Sequence, residues 1–376
     1  MQPSIKCWGN VMTKQARYIM IGGFLGAGKT TAVDKFAQYL SESGKRVGLI
    51  CNDQSSGLVD TTILKSRGFS VEEITGGCFC CRFNSLLEAT DALTRATAPD
   101  FFLAEPVGSC TDLIATVSYP LRRIYGDQFS VAPLSVLVDP IRAARILGIA
   151  DGTNFSDKVT YVYRKQLEEA NIIVVNKADA HPSNFIDRIV DAININFPQA
   201  ETFVCSAKHG TGLNSWFAAT LSGKDPVLQP LDINYDTYAE GEAELGWLNC
   251  TLRLESDKVF DGNRLLAELA NTIRNHIRED DGEIAHLKTT LDPNDGTGTL
   301  SAVSLVTTEG DCDLRESLLD QVDGGELIIN LRAEANPNTL ESIIRNSIET
   351  LRPVRVTLEH LEQFRPARPV PTHRMK

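Results

Sequence analysis

The chain is 376 residues long, 42% hydrophobic, and carries a formal net charge of -12 at pH 7. That length supports more than one buried core, so two or three domains are expected. The acidic balance argues against general nucleic-acid binding, which needs a basic face, and no apolar run reaches membrane-spanning length. Residues 1 to 17 carry Lys6, Lys14 and Arg17 among polar residues, with no continuous apolar segment. Neither a signal peptide nor an anchor is read there, and a cytoplasmic protein is expected. The nine cysteines form an odd set in a large chain, which favours thiols or metal ligands over a disulfide framework.

The first element is a buried strand, Tyr18-Ile19-Met20-Ile21, and helical spacing runs from Thr31 to Leu40. Between them, Gly23-Phe24-Leu25-Gly26-Ala27-Gly28-Lys29-Thr30 fits the phosphate-loop pattern G-x-x-x-x-G-K-[ST] in its strand-loop-helix setting. Glycines 22, 23, 26 and 28 permit the sharp turn. Successive N–H groups then face a polyphosphate together with the helix N-terminus. The nucleotide-binding set read here is Gly23, Gly26, Ala27, Gly28, Lys29, Thr30 and Thr31. Lys29 would reach the β and γ phosphates, and the Thr30 hydroxyl would take one position on Mg²⁺.

Further strand signals follow at 46 to 51, 101 to 104, 134 to 138, 171 to 175 and 202 to 205, mostly separated by room for crossover helices. This rhythm predicts an α/β fold, a P-loop NTPase parallel sheet with helices on both faces. Ligands in such sheets sit at the carboxyl ends of the strands. After a short segment at Val71 to Ile74, Gly76-Gly77-Cys78-Phe79-Cys80-Cys81 packs three thiols into four residues. Thiolates are soft ligands suited to Zn²⁺ and similar ions, although buried free cysteine is also common. In an extended chain Cys80 and Cys81 would point to opposite faces, which would leave one of the three out of a ligand set.

Asn176-Lys177-Ala178-Asp179 follows the strand Ile172-Ile173-Val174-Val175. A carboxylate at Asp179 accepts two hydrogen bonds from guanine, at the ring N–H and the exocyclic amine, and adenine offers no such pair. Asn176 would hold the other edge of the base and the Lys177 stem its face. Ser206-Ala207-Lys208 after the next strand completes the set, and GTP is preferred over ATP. The domain is placed at 1 to 223 and a polar, proline-punctuated, acidic linker at 224 to 244. Strands at 246 to 256, 283 to 291, 298 to 308, 325 to 334 and 354 to 360, with helices at 261 to 278 and 337 to 351, predict a smaller α+β C-terminal domain over 245 to 376.

In this order, GFLGAGKTT at 23 to 31, GGCFCC at 76 to 81, Glu105-Pro106-Val107-Gly108 and NKAD at 176 to 179 resemble the metal-handling GTPases that include CobW and its relatives UreG, HypB and MeaB. The likeness covers roughly residues 17 to 222. It implies a GTPase, slow and regulated, that binds a transition metal, Zn²⁺ or Co²⁺, and delivers it to a client metalloenzyme or cofactor-assembly protein. It assigns Cys78, Cys80 and Cys81 to that metal, and Glu105 to Mg²⁺ and its water, while the Gly108 N–H senses the γ-phosphate. Lys29, Asp53, Glu105 and Gly108 form the implied catalytic set, with Thr30, Asp53 and Glu105 around Mg²⁺. No nucleic-acid or membrane partner is implied, and a nucleotide-dependent homodimer is kept open.

Several residues depart from the CobW pattern. Asn52-Asp53-Gln54-Ser55 stands where many members have Asn-Glu-Phe-Gly, closer to the UreG version. Asp60 is a second acidic candidate. The six histidines are dispersed rather than gathered in a storage tract. Cys51 and Cys110, each two residues from Asp53 and Gly108 respectively, are candidates to supplement the thiols or are buried structural cysteines. Arg82, Arg122 and Arg123 are candidates for an arginine finger. A chaperone of a corrinoid-dependent enzyme, a P-loop small-molecule kinase and a non-catalytic zinc scaffold remain open. The kinase leaves NKAD and CFCC without roles, and the scaffold leaves the phosphate loop without one.

Overall fold

In a computed structural model, residues 15–53, 64–65, 67–152, 154–222, 230–351 and 354–375 are described. Asp60 and the segment 1–14 lie outside the described residues. The phosphate loop follows β1, Ala16–Gly23, and leads into α1, Lys29–Glu42. Then come β2 Val47–Asn52, β3 Ser70–Ile74, α2 Phe83–Thr97 and β4 Phe101–Glu105. A π-helical turn at Ile114–Ser118 opens α3, Tyr119–Tyr125. The short β5 Phe129–Val131 precedes β6 Ser135–Val138, α4 Pro140–Ile146, α5 Asp157–Glu169 and β7 Ile172–Val175. The N-terminal part closes with α6 Ser183–Asn196, β8 Glu201–Val204 and α7 Leu213–Leu221.

These strands pair in the order β3-β2-β4-β1-β6-β7-β8, with β5 beside β1, and the pairs are parallel. The apolar runs of the central strands are buried on both faces, as a crossover-built sheet requires. On one face Phe36 of α1 stacks on Phe217 of α7 with ring centroids 4.0 Å apart, beside Trp216. The other face collects residues of α2, α5 and α6. β1 lies inside the sheet, so its exit places the phosphate loop at the centre of the carboxyl edge.

The segment read as a linker contains a helix, α8 Tyr235–Glu244, capped by the Asn234 side chain. It packs so closely on α5 that a Cβ at Gly241 would stand 2.4 Å from the Lys158 carbonyl oxygen. Its buried face presents Tyr238, Gly241 and Glu242, a three- and four-residue spacing that the acidic composition disguised. Beyond it lie β9 Leu245–Phe260, α9 Gly262–Glu279, β10 Glu283–Asp292, β11 Ser301–Leu305, β12 Asp313–Glu316, β13 Val322–Glu334, α10 Pro337–Glu349 and β14 Arg355–Phe364. They form an antiparallel sheet, β12-β11-β10-β13-β9-β14, whose core is shared with α9 and α10. The short strands β5 and β12 had no periodicity long enough to be read.

The segment after β4 is fastened to α5. Gln166 Nε2 donates to the carbonyls of Gly108 and Cys110 at 2.9 Å each. The Glu169 carboxyl accepts from Thr111 Oγ1 at 3.1 Å and from the Ile114 N–H at 3.2 Å. Burial pushes Glu169 from an ordinary 4.5 up to about 8. The folded state therefore holds more protons than the unfolded one over that interval, and stability falls as pH rises through it. Urea midpoints measured from about pH 4.5 to about 8 should decline more steeply for the wild type than for Glu169→Gln; parallel slopes would count against this role.

Candidate functional site

The phosphate loop turns through left-handed angles at Gly26, φ 81°, and Gly28, φ 89°, which favour glycine. Space adds a second reason. A Cβ at Gly28 would meet Asn176 Nδ2 at 2.4 Å, and one at Gly26 would meet Val306 Cγ1 at 2.6 Å. Asn176, leaving β7, donates from Nδ2 to the Ala27 carbonyl at 2.9 Å, and its Oδ1 accepts from the Ala207 N–H at 2.9 Å. The motif residue thus ties the two loops together.

Lys29 is buried at the mouth of the loop, with Nζ 3.4 Å from the Phe24 carbonyl oxygen. The Thr30 hydroxyl donates to Glu105 Oε1 at 3.1 Å. Thr30, Glu105 and Asp53 border a cavity of about 290 Å³ that opens on the loop. A hydroxyl and carboxylates are hard oxygen donors that fit Mg²⁺. A second cavity of about 510 Å³ is bordered by Asn176, Lys177, Asp179, Ala207 and Lys208, the arrangement expected for a base beyond the phosphates. Lys177 Nζ is 2.9 Å from Asp139 Oδ2, which fixes the lysine stem along this wall. Asp179 Oδ2 lies 3.3 Å from His209 Nε2. Desolvation opposes its charge, but a Ser206 hydrogen bond and the positive charge nearby hold its carboxyl below the usual range.

The opposite wall of both cavities comes from the C-terminal sheet, which sequence reasoning left without a role. Arg332 of β13, fully buried, places Nη2 3.3 Å and 3.4 Å from the two carboxylate oxygens of Asp53. Arg315 Nη1 donates to Thr31 Oγ1 at 2.8 Å, and Lys208 pairs with Asp313 at 2.9 Å. His286 and Lys288 of β10 line the phosphate-side cavity. Burial and the neighbouring Lys288 and Arg332 keep the His286 imidazole well below its ordinary value, hence neutral. The signal available in sequence was a charged residue inside otherwise apolar strands, as at Arg332 in Ile329-Asn330-Leu331-Arg332-Ala333. Neither Arg82 nor Arg122 nor Arg123 lines the phosphate-side cavity, whereas Arg67 and Arg315 do.

The three motif thiols converge. Cys81 N–H and Arg82 N–H both donate to the Cys78 carbonyl, at 3.0 Å and 2.9 Å, so the chain is a tight turn here rather than extended. This corrects the expectation that Cys80 and Cys81 face apart. The Sγ separations are 2.7 Å for Cys78 and Cys80, 3.2 Å for Cys78 and Cys81, and 3.7 Å for Cys80 and Cys81. Cys78 is surrounded by donors, the Cys110 thiol foremost and then Cys80 and Cys81, and these hold it well below the usual thiol range. Its neighbours shift the other way; Cys81 is pushed up to about 11 by its contact with Cys78. The loop is tied to the nucleotide side by Asn52, whose Nδ2 donates to the carbonyls of Ile74 at 3.0 Å and Gly77 at 2.7 Å.

The C-terminal segment crosses this turn from outside. Val370 N–H donates to Cys81 Sγ at 3.2 Å and Thr372 N–H to the Cys80 carbonyl at 2.8 Å. Arg374 Nε bonds Asp112 Oδ2 at 2.7 Å, and the His373 ring meets Phe83 edge-on at 5.1 Å.

A parallel sheet carrying a phosphate loop, Glu105 against Thr30, and N-K-A-D beside a base-sized cavity define a P-loop GTPase domain. Residues 17 to 203 match the family profile described as CobW/HypB/UreG, nucleotide-binding domain, and this domain belongs to that family. The chain is 29% identical to the "Zinc chaperone CobW" of Sinorhizobium sp over 210 residues, 51% of this chain and 58% of that protein. It is 28% identical to the "Zinc chaperone YeiR" of Escherichia coli (strain K12) over 163 residues, 43% and 46% of the two chains. A "Putative GTPase" of Caulobacter vibrioides is 28% identical over 172 residues, 46% of this chain and 48% of that protein. The chain spans about half the length of the curated relatives it matches. Among the described residues, no helix is long and apolar enough to cross a membrane.

The covering segment supplies a test. Deleting residues 365 to 375 should speed alkylation of Cys81, read by mass spectrometry, while α10 and β14 keep the domain folded. An unchanged rate would show that the segment does not shield the thiols.

Proposed function

We propose that the protein is a GTP-hydrolysing metallochaperone that carries Zn²⁺ or Co²⁺ on Cys78, Cys80 and Cys81 and passes it to a client metalloenzyme or cofactor-assembly protein. The observation that carries the reading is the convergence of the three thiols on one point, joined through Asn52 to the Asp53 side of the nucleotide cavity. The zinc-chaperone relatives and the family of the N-terminal domain support the class. Of the open alternatives, a small-molecule kinase would leave both the thiols and Asp179 idle.

For hydrolysis, the loop N–H groups and Lys29 bind the phosphates and stabilise charge developing on the transferred phosphoryl group. Thr30 and Glu105, with Asp53 beside them, would hold Mg²⁺, which when bound neutralises phosphate charge. Gly108 lies against the loop, where a Cβ would meet Leu25 Cδ2 at 2.6 Å, and borders the phosphate-side cavity, and its N–H would sense the γ-phosphate. Asn52 and the Glu105-to-Gly108 segment then respond to the nucleotide from two sides of the thiol turn. Output is a change in how tightly the turn holds its metal, a coupling that must be reciprocal.

Two outcomes are expected. Asp179→Asn exchanges an acceptor for a donor facing guanine, a mismatch of about 1 to 3 kcal/mol. GTP affinity should fall about 5- to 150-fold while xanthosine triphosphate gains, and equal GTP titrations for the two proteins would remove the assignment. Metal should bind about 5- to 150-fold more tightly with Mg²⁺ and a non-hydrolysable GTP analogue than with GDP. Co²⁺ absorption in the two states measures this, and identical affinities would leave the thiols as a structural or redox element.

A further inference from the structure

Three thiols leave a tetrahedral ion one ligand short, and the structure holds a fourth cysteine at the right place. Cys51 is excluded by topology, since it belongs to the core on the opposite face of the sheet. Cys110 shares the core of Cys78 and Cys80 and is 2% exposed. Its side chain hydrogen-bonds to Cys78, the thiol to which Cys80 and Cys81 also converge. It lies two residues beyond Gly108, in a turn closed by its own N–H to the Val107 carbonyl at 2.9 Å. Gln166 clamps that turn through the Gly108 and Cys110 carbonyls.

We infer that Cys110 supplies the fourth thiolate, so that the cargo metal is held by Cys78, Cys80, Cys81 and Cys110. This rests on the metallochaperone reading and deepens it. Four sulfurs about 2.3 Å from a Zn²⁺ ion stand about 3.8 Å from one another. The three motif thiols lie closer than that, at 2.7, 3.2 and 3.7 Å, and Cys110 lies outside this group of three, so an ion entering the site would spread the three and draw Cys110 in. The surroundings suit a closed site. Val370 and Thr372 cover the outer side at Cys81, and Tyr238 and Glu242 of α8 close the inner side near Cys110 and Cys78. Four thiols losing protons to bind one dication would leave two net negative charges in a buried place, so loading depends on where protons go. Ser109 Oγ donates to Glu242 Oε1 at 2.6 Å, which ties the Cys110 turn to α8.

The position also explains how nucleotide would reach the metal. Cys78, Cys80 and Cys81 sit on one turn, while Cys110 sits on the segment that carries Glu105 and Gly108. A shift of Gly108 against Leu25 moves the fourth ligand relative to the other three. Three or four sulfurs would then be the difference between release and retention.

Zinc X-ray absorption on the full-length wild type, loaded with Zn²⁺ under a non-thiol reductant and a GTP analogue, tests this without any substitution. Four sulfurs are expected; three sulfurs with one nitrogen or oxygen overturn the inference. Cys110→Ala and Cys110→Ser should each reduce the Co²⁺ thiolate absorption by about one quarter, one ligand of four. They should also weaken Co²⁺ binding by at least the about tenfold that a change in an outer shell can cause. Unchanged absorption and affinity in a folded variant also overturn it. Failure of the wild type to bind either metal would instead sink the metallochaperone reading itself, while loss confined to Cys78, Cys80 and Cys81 variants would leave that reading intact without Cys110.

Discussion

A phosphate loop must hold several N–H groups at one point, through backbone angles that most residues resist, and in this chain that conformation is imposed by packing from outside. Asn176 grips the Ala27 carbonyl, Val306 and the Ala285 carbonyl press on Gly26, and Leu25 lies against Gly108. The glycines are needed twice, for their angles and because neighbours occupy the space a side chain would fill. Those neighbours come from three different segments: the loop after β7, the C-terminal sheet and the Glu105-to-Gly108 element. The loop is therefore a place where the domains meet, packed against all three segments at once.

The C-terminal domain is consequently not an appendage. Trp247 and Ala285 belong to the core of the nucleotide-binding domain, and Arg142 reaches across to the Ile284 carbonyl at 3.3 Å. The Arg142 guanidinium also lies over Phe155, 4.5 Å from its ring. With β10 to β12 forming one wall of the cavities, whatever binds there is enclosed between the two sheets. The alternating apolar strands of the second domain, such as Leu327-Ile328-Ile329, are what predicted a separate domain from the sequence. Those residues do build a separate core. A separate core does not imply a separate site, because charged residues placed on the rim of that core complete the neighbour's cavity.

What was legible in the sequence follows from how locally each feature is encoded. The phosphate loop, NKAD and the strand rhythm are contiguous, and their local chemistry dictates their geometry. The thiol turn was legible as a composition but not as a shape: two glycines at positive φ, Gly76 and Gly77, allow it to coil, and extended geometry was the wrong template. The helix Tyr235–Glu244 was hidden because acidic residues fill its exposed face and only Tyr238, Gly241 and Glu242 mark the buried one. The roles of Arg332, Arg315, His286 and Lys288 depend on contacts across more than a hundred residues of chain. No pattern within a strand could show them.

The pairing of Asp53 with Arg332 deserves its energetics. A buried ion pair contributes little net stability, yet removing one partner is costly when the other is left without compensation. Arg332 is compensated. Its Nη1 donates to the Leu248 and Leu331 carbonyls at 3.0 Å each and to Asn249 Oδ1 at 2.9 Å, and its guanidinium lies 4.0 Å from the centre of the Trp247 ring. These groups solvate the cation whether or not Asp53 faces it. Asp53, 15% exposed at the edge of the cavity, is the more accessible half of the pair. If Mg²⁺ enters with the nucleotide as proposed, it would compete for this carboxylate with the Arg332 guanidinium, and the arginine would keep its other partners. On the proposed reading Asp53 would change partners at small cost, and Asn52, adjacent in the chain and bonded to the Gly77 carbonyl, would carry such a movement to the thiol turn.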